Sequence, residues 1–237
     1  MSQPSTPDFE MPADRRLLPG LAGHVERLAR SVDPIDEGHR EAGEKLVEWL
    51  IKNHRPGQPL HITVICTGNS RRSILGATMG HVAAAYRGLP EIRFHSGGTV
   101  PTAFNPRTVA CLKEIGVEVE PTGEEAPRGE PGTANPIYRL RWGSAGEPPM
   151  EAVEFSKRYD DASNPQEGFV ALMVCDEADS GCPAVRGAAL RLSLPFSDPK
   201  AFDDTPEEAI RYAERRDDIG RLMTWVMMRA GERLARR

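Results

Sequence analysis

The stretch "VICTGNSRRSILG", Val64–Gly76, decides the predicted fold of this chain. An apolar, β-branched run ends at Cys66, a short polar loop with Gly68 and Asn69 follows, and two arginines and a serine open a helix-like segment. A loop between a strand and a helix N-terminus binds anions, because backbone N–H groups point at its centre and the helix dipole is positive there. The stretch therefore predicts a thiol at the rim of an anion site.

Strand-like and helix-like segments alternate outward from this stretch. The run "LHITVIC" predicts a buried strand, "SILGATMGHVAAAYRG" a helix, "IRFHS" a second strand and "NPRTVACLKEIG" a second helix. Nearer the C-terminus, "FVALMVC" and "ALRLSL" predict two more strands, and a final helix runs to the basic C-terminus. Alternation of this kind is typical of βαβ units, so we predict a mainly parallel sheet.

Two regions depart from this alternation. Residues 1–58 are predicted to be an N-terminal helical extension. Residues 1 to about 22 are Pro-rich and polar and are expected to be disordered at the start, and one amphipathic helix follows. The apolar stripe of that helix consists of Ala42, Leu46, Val47, Leu50 and Ile51. An insertion over about residues 120–168 begins with a loop rich in Pro and Gly, and its runs "IYRLRW" and "EAVEFS" predict a small hairpin or edge strands.

The composition favours a globular protein and excludes several classes of function. Of 237 residues, 39% are hydrophobic and 27% are charged, and the net charge is −5. No Lys/Arg-rich block is present, so no nucleic-acid partner is expected. The apolar runs are too short to span a bilayer and no signal peptide is evident, so we expect no membrane association and a cytoplasmic protein with reduced thiols. The six histidines lack the spacing of metal ligands, and no metal or cofactor is predicted.

The residues of the loop suit attack on an oxyanion. Gly68 and Asn69 tolerate the unusual backbone angles of an anion cradle, and the planar fork of Arg72 matches two oxygens of a tetrahedral oxyanion. The positive field that binds the anion should also keep Cys66 as a thiolate nucleophile. The alternative is a core cysteine that ends a buried strand, followed by solvated arginines. This alternative explains the cysteine but not the rest of the loop. A Walker-type phosphate loop is excluded, since the G-x-x-x-x-G-K-[ST] pattern is missing.

The order of Cys66, five residues, Arg72 and Ser73 resembles the phosphate-binding loop of the low-molecular-weight protein tyrosine phosphatase superfamily, which includes the thioredoxin-coupled arsenate reductases. The resemblance covers about residues 60–237 and implies a catalytic domain over residues 59–237. It implies an α/β, flavodoxin-like three-layer sandwich with a central four-stranded parallel sheet. It also implies that the substrate is bound by loop residues Thr67, Gly68, Asn69, Ser70, Arg71 and Ser73.

The superfamily also uses a general acid, an aspartate followed by proline near the C-terminus. The run "PFSDPKAFDD" supplies Asp198 and Pro199 just after the last predicted strand. The resemblance implies that Asp198 protonates the leaving oxygen as the Cys66 sulfur attacks. The alternative is a plain turn aspartate, since Asp-Pro is a common turn pair. Lys200 follows where phosphotyrosine phosphatases usually carry aromatic residues, which disfavours a phosphotyrosine substrate.

The run "CDEADSGCP" carries Cys175 and Cys182 across a predicted polar loop, and it resembles the redox segment of the thioredoxin-coupled arsenate reductases. The resemblance implies a relay in which Cys66 attacks arsenate and Cys175 then attacks Cys66, which releases arsenite and leaves a disulfide. Cys182 takes over that disulfide and presents it to thioredoxin. Zinc binding, inert cysteines on a phosphatase and a structural disulfide remain alternatives for the pair. Cys111 lies among apolar helix positions and is predicted to be a core residue.

We therefore expect an arsenate reductase, with arsenate as its substrate and thioredoxin as its reductant. A low-molecular-weight protein tyrosine phosphatase that cleaves phosphate esters at the same site is the alternative enzyme. A non-catalytic phosphate-binding module is a third interpretation, which the presence of both a thiol and an acid disfavours. In the insertion, Arg139, Arg141 and Lys157 are interpreted as surface charges, with contact to substrate as the alternative.

Overall fold

The computed structural model of this chain describes residues 17–127, 134–144, 149–182 and 184–237. Helices and strands follow one another in the order α1 (Pro19–Arg30), α2 (Glu37–Asn53), β1 (Leu60–Cys66), α3 (Arg72–Arg87), β2 (Ile92–Gly98), α4 (Pro106–Glu114), β3 (Glu118–Glu125), β4 (Pro136–Arg141), β5 (Glu151–Glu154), β6 (Phe169–Met173), α5 (Asp176–Gly181), β7 (Ala188–Ser193) and α6 (Glu208–Leu234). A short 3-10 turn, Pro199–Phe202, precedes α6.

A four-stranded sheet forms the centre of the fold, in the order β2-β1-β6-β7, and every neighbouring pair is parallel. Helices flank this sheet, so the predicted α/β fold with a central parallel sheet is confirmed. Because the strands are parallel, the carboxyl ends of β1, β6 and β7 lie along one edge. Ligands of open α/β sheets bind outside this edge, and the segments that carry the predicted site residues all begin there.

Helix α3 packs flush against the sheet because two glycines remove the side chains that would intervene. A Cβ atom at Gly80 would lie 2.4 Å from the Phe94 ring, and one at Gly76 would lie 2.8 Å from Val64. Strand β1 is buried from Ile62 to Cys66. This close packing fixes the N-terminus of α3 directly beyond the end of β1, which is where the anion site was predicted.

The N-terminal extension contains two helices, α1 and α2, and both pack against α6. The predicted stripe on α2 is confirmed at Leu46 and Leu50, which are fully buried. Helix α1 begins at Pro19 and buries Leu21 in the common core. Proline is accommodated because the first helical position needs no N–H donor. The predicted disordered start of the chain lies N-terminal to this helix, in residues 1–16, which are outside the described residues.

The insertion forms a second, antiparallel sheet in the order β3-β4-β5. The predicted hairpin is confirmed in β4 and β5, but the predicted loop is wrong over its first residues, which form β3. This strand pairs Val119 with the buried Leu140 and Glu118 with the oppositely charged Arg141, so cross-strand contacts compensate for its poor strand composition. Among the described helices, none is both long enough and apolar enough to cross a membrane.

Candidate active site

The loop between β1 and α3 has the backbone of an anion cradle. Asn69 adopts a left-handed conformation, with φ of 42°. Within the described residues, no backbone N–H from Gly68 to Arg72 donates a hydrogen bond to another protein group. The carbonyl of Cys66 accepts from Thr99 N at 3.1 Å, which ties the loop to the chain leaving β2. The N–H groups at the centre of the loop are therefore free to bind an anion.

Arg72 extends from the first turn of α3 to the segment that carries the predicted acid. Its Nη1 donates to the carbonyl of Phe196 at 2.9 Å, and its Nη2 donates to Asp198 Oδ2 at 2.8 Å. The residue is 7% exposed, and its Nε is buried without a partner among the described residues. A buried, unpaired guanidinium N–H is costly unless an acceptor satisfies it, and an oxyanion in the cradle is such an acceptor.

Asp198 lies in the segment that follows β7. Its Oδ1 accepts from Lys200 N at 3.0 Å and so caps the 3-10 turn, while Oδ2 faces Arg72. Helix α2 supports this segment from behind: His39 Nε2 lies 3.0 Å from the Pro195 carbonyl, and its ring stacks on Phe196 with centroids 4.5 Å apart. The N-terminal extension thus contacts the segment of the candidate acid, a contact that no sequence signal indicated.

Cys66, the predicted nucleophile, ends β1 and is 4% exposed. Its Sγ lies 3.1 Å from Ser73 Oγ. Asn69 Nδ2 donates to the same Ser73 Oγ at 2.9 Å, so the hydroxyl hydrogen of Ser73 is left to donate to the sulfur. A hydrogen bond of this direction stabilises a thiolate more than a thiol.

Cys175, the predicted second thiol, is buried beside the same loop. It lies just after β6 at the N-terminal end of α5, and its Sγ is 3.5 Å from the hydroxyl of Thr67. Burial raises the pKa of Cys175, while the hydrogen bond with Thr67 and the positive charge of Arg72 act in the opposite direction. The structure therefore brings the first two predicted thiols to neighbouring positions at the end of the sheet.

Cys182 lies at the other end of α5 and is partly exposed. The predicted polar loop between the two cysteines is wrong, because Asp176–Gly181 form a helical turn whose acidic first residues suit the positive end of the helix dipole. Arg191 on β7 holds this helix, donating to Asp179 Oδ1 at 2.6 Å and to the Cys182 carbonyl at 3.2 Å. Over seven helical residues Cys182 lies about 10 Å from Cys175, so the thiols meet only if α5 opens.

The remaining predicted loop residues have different surroundings. Arg71 turns away from Arg72: its Nε donates to Tyr212 OH at 2.6 Å and its Nη2 to Asp203 at 2.8 Å, which anchors the loop to α6. Ser70 is buried, and its carbonyl accepts from Thr108 Oγ1 at 3.2 Å. The Gly68 carbonyl accepts from the side chains of Ser156 and Thr102, so the insertion contacts the loop.

Cys111 and the three cationic residues named in the insertion are buried or form ion pairs. Cys111 is buried on α4, where burial raises its pKa to about 11. Arg139 pairs with Glu151 and Arg141 with Glu118, all on the second sheet, whereas Lys157 is buried. All four cysteines are free, and no three His, Cys, Asp or Glu side chains in the described ranges are placed to share a metal ion.

Residues 61–127 match the family model described as low molecular weight phosphotyrosine protein phosphatase. This segment of the chain, less than a third of its 237 residues, is similar to that family. The matched segment runs from β1 past α4 into the insertion, so it contains the cradle of Cys66 and Arg72 but neither Asp198 nor the Cys175 and Cys182 pair. The places of those three residues therefore come from the structure of this chain alone.

One solved structure similar to this chain is the tyrosine phosphatase AmsI of Erwinia amylovora, at 14% identity and a TM-score of 0.38, over 77% of this chain and 98% of that one. No curated protein matches this chain.

Proposed function

We propose that this chain is a member of the low-molecular-weight phosphotyrosine protein phosphatase superfamily and acts as a thioredoxin-coupled arsenate reductase. The observation that carries the proposal is the second thiol beside the cradle, with Cys175 Sγ 3.5 Å from the hydroxyl of Thr67, the residue directly after Cys66. A phosphatase needs one thiolate, whereas reduction of As(V) needs two electrons, which two thiols supply when they become one disulfide.

The first step uses the cradle. Arsenate binds to the free N–H groups of the loop and to Arg72, and the Cys66 sulfur forms a bond to arsenic as one As–O bond breaks. Asp198 lies beside Arg72 and donates the proton with which the leaving oxygen departs as water. Ser73 supports the thiolate through its hydroxyl before the attack.

The second step transfers the electrons. The Cys175 thiolate attacks the Cys66 sulfur, so an S–S bond forms and the S–As bond breaks. The electron pair of that bond stays with arsenic, which leaves as As(III) in arsenite, and the two sulfurs are oxidised to a disulfide. Burial raises the pKa of Cys175, so only a small fraction of this thiol is ionised near neutral pH. The step is favoured instead by the short distance that Cys175 has to travel to reach Cys66.

The third step regenerates the cradle. Cys182 attacks the Cys175 sulfur, which frees the Cys66 thiolate and moves the disulfide to the Cys175–Cys182 pair. Sulfur atoms must approach to about 2 Å, so α5 has to open and the Arg191 contacts have to break. Cys182 is the more exposed of the pair, and the dithiol of thioredoxin then reduces the disulfide with two electrons.

A phosphatase is the second candidate. The matching family model is that of a phosphotyrosine protein phosphatase, and Cys66, Arg72 and Asp198 suffice for attack on a phosphate ester followed by hydrolysis of the thiophosphate. In that case Cys175 and Cys182 have no part in turnover.

A parallel assay of the full chain separates the two activities. Wild type, the Cys175→Ser, Cys182→Ser double variant and a Cys111→Ser control are each given arsenate with the thioredoxin system and, separately, an aryl phosphate. We expect the double variant to lose multiple-turnover arsenate reduction and the Cys111→Ser control to retain it. Sustained arsenate reduction by the double variant, or aryl phosphate cleavage by a wild type that does not reduce arsenate, would overturn the proposal in favour of the phosphatase.

A further inference from the structure

A buried ion pair lies in the insertion, next to the cradle. Lys157 Nζ lies 3.1 Å from Glu154 Oε2, and the two residues are 6% and 4% exposed. Burying two charges is costly, and a buried pair is weak evidence for a contribution to stability alone. Its further contacts indicate what the pair does.

The carboxylate of Glu154 ends a chain of hydrogen bonds that begins at the nucleophile. Ser96 Oγ donates to Glu154 Oε2 at 2.7 Å, so this hydroxyl has only its lone pairs left for Asn69. Asn69 Nδ2 therefore donates to Ser96 Oγ at 2.9 Å and, with its second hydrogen, to Ser73 Oγ at 2.9 Å. Ser73, having accepted, donates its own hydrogen to Cys66 Sγ at 3.1 Å.

The backbone of Lys157 fixes the same amide from its other end. Lys157 N donates to Asn69 Oδ1 at 2.8 Å, and the Lys157 carbonyl accepts from Gly98 N at 2.8 Å. An N–H donor facing Oδ1 and an occupied hydroxyl facing Nδ2 leave only one orientation of the amide. The same bonds hold Asn69 in the left-handed conformation that shapes the cradle.

We propose that Glu154 and Lys157 are positioning residues that orient the Asn69 amide and thereby direct the Ser73 hydrogen toward Cys66. The inference rests on the proposed function only in that Cys66 is the nucleophile. The insertion is then part of the machinery that stabilises the thiolate, although none of its described residues forms a hydrogen bond with the Cys66 sulfur. The ion pair with Lys157 holds the Glu154 carboxylate in place, and this carboxylate is the acceptor that sets the direction of the whole chain of hydrogen bonds.

The pH dependence of Cys66 alkylation tests this without any substrate. The full chain is treated with iodoacetamide from pH 5 to 9, and the rate at Cys66 is followed by mass spectrometry of its peptide, with Cys182 as an internal reference. The variants are Glu154→Gln with Lys157→Met, which removes both charges at similar volume, and Ser96→Ala, which removes one hydroxyl. The control is Glu151→Gln, on the same strand in an exposed ion pair.

We expect the midpoint of Cys66 alkylation to rise by roughly one pH unit in both the paired variant and Ser96→Ala. In each variant the hydrogen bond from Ser73 Oγ to the Cys66 thiolate is weakened. At a pH below the wild-type midpoint this corresponds to a roughly tenfold slower reaction. The control and the Cys182 profile should not move. A loss of stability without a shifted midpoint would show a merely structural role and overturn the inference.

The outcomes also separate this inference from the proposed function. A wild-type midpoint for Cys66 as high as that of Cys182 would contradict the thiolate on which the proposed function rests. A low wild-type midpoint that neither variant moves would contradict the role of Glu154 and Lys157 alone. Since Ser96→Ala truncates a single hydroxyl, it interrupts the same chain even if the paired substitution prevents folding.

Discussion

Arg72 of the oxyanion cradle donates through Nη2 to Asp198, the candidate general acid, at 2.8 Å. One guanidinium therefore holds the acid with one nitrogen, holds the Phe196 carbonyl with a second, and has its buried Nε free for an oxyanion. The geometry of the cradle and the place of the acid are coupled through this side chain. A substitution at either residue should disturb the other, and the two substitutions should not be additive.

Replacement of Arg72 by lysine should be nearly as damaging as replacement by alanine. Lysine retains the charge but cannot bind Phe196, Asp198 and an oxyanion at the same time, because it lacks the planar fork. We expect kcat/KM to fall by more than tenfold, a loss of more than about 1.4 kcal/mol, in steady-state assays with an aryl phosphate or arsenate. Arg71→Lys is the matched control, since Arg71 contacts Tyr212 and Asp203 instead. A larger loss in the control than in Arg72→Lys would reassign the cradle arginine.

Asp198→Asn should slow the cleavage of aryl phosphates most strongly when the leaving group is poor. A good leaving group departs without a proton, whereas a poor one depends on the acid. Rates across a series of substituted phenyl phosphates measure this, and the slope against leaving-group basicity should steepen in the variant. An equal loss for every ester would indicate that Asp198 only positions Arg72.

Single substitutions of the relay cysteines should differ from each other. Cys182→Ser retains the pair that makes the first disulfide, so one burst of arsenite, about one per enzyme, is expected from the reduced protein. Cys175→Ser removes the thiol beside Thr67, so the burst should be absent. Quenched single-turnover reactions, with mass-spectrometric mapping of the trapped disulfide, measure both. A full burst from Cys175→Ser would mean that another thiol attacks Cys66.

The burst of the Cys182→Ser variant should also depend on pH. Burial raises the pKa of Cys175 above its ordinary value, so its thiolate is a minor species near neutral pH and grows as the pH approaches that raised pKa. Below the pKa of Cys175 we expect the rate of arsenite release to rise by roughly tenfold per pH unit, if the attack by Cys175 limits it. Release that stays constant between pH 7 and 9 would contradict a buried, protonated Cys175.

Gly181→Ala should slow the step that moves the disulfide to Cys182. A Cβ atom at Gly181 would meet no atom within 4 Å, so the change is sterically tolerated. Alanine favours a helix by up to about 1 kcal/mol over glycine, which makes the opening of α5 up to about fivefold rarer. Rapid-quench trapping of the Cys175–Cys182 disulfide measures the exchange, and aryl phosphate cleavage serves as the control. An unchanged exchange rate would mean that the opening of α5 does not limit it.

Local patterns in the sequence determined the central features of this protein. The strand, loop and helix around Cys66, the alternation that predicts a parallel sheet, and the positions of Asp198 and Cys175 at strand ends all follow from short segments. These features can be predicted from the sequence because hydrophobic periodicity and the chemistry of helix termini depend on only a few neighbouring residues. In addition, parallel strands always bring their carboxyl ends to one edge of the sheet.

Only the tertiary structure decided which of these groups act on one another. The two adjacent arginines diverge, Arg72 to Asp198 and Arg71 to Tyr212, and no local pattern predicted either partner. The segment after Cys175 is a helix held by Arg191 rather than a loop, and Lys157 is a buried partner of Glu154 rather than a surface charge. Most of these pairings join distant parts of the chain, some more than a hundred positions apart. All of them depend on burial and side-chain direction, which no local pattern encodes.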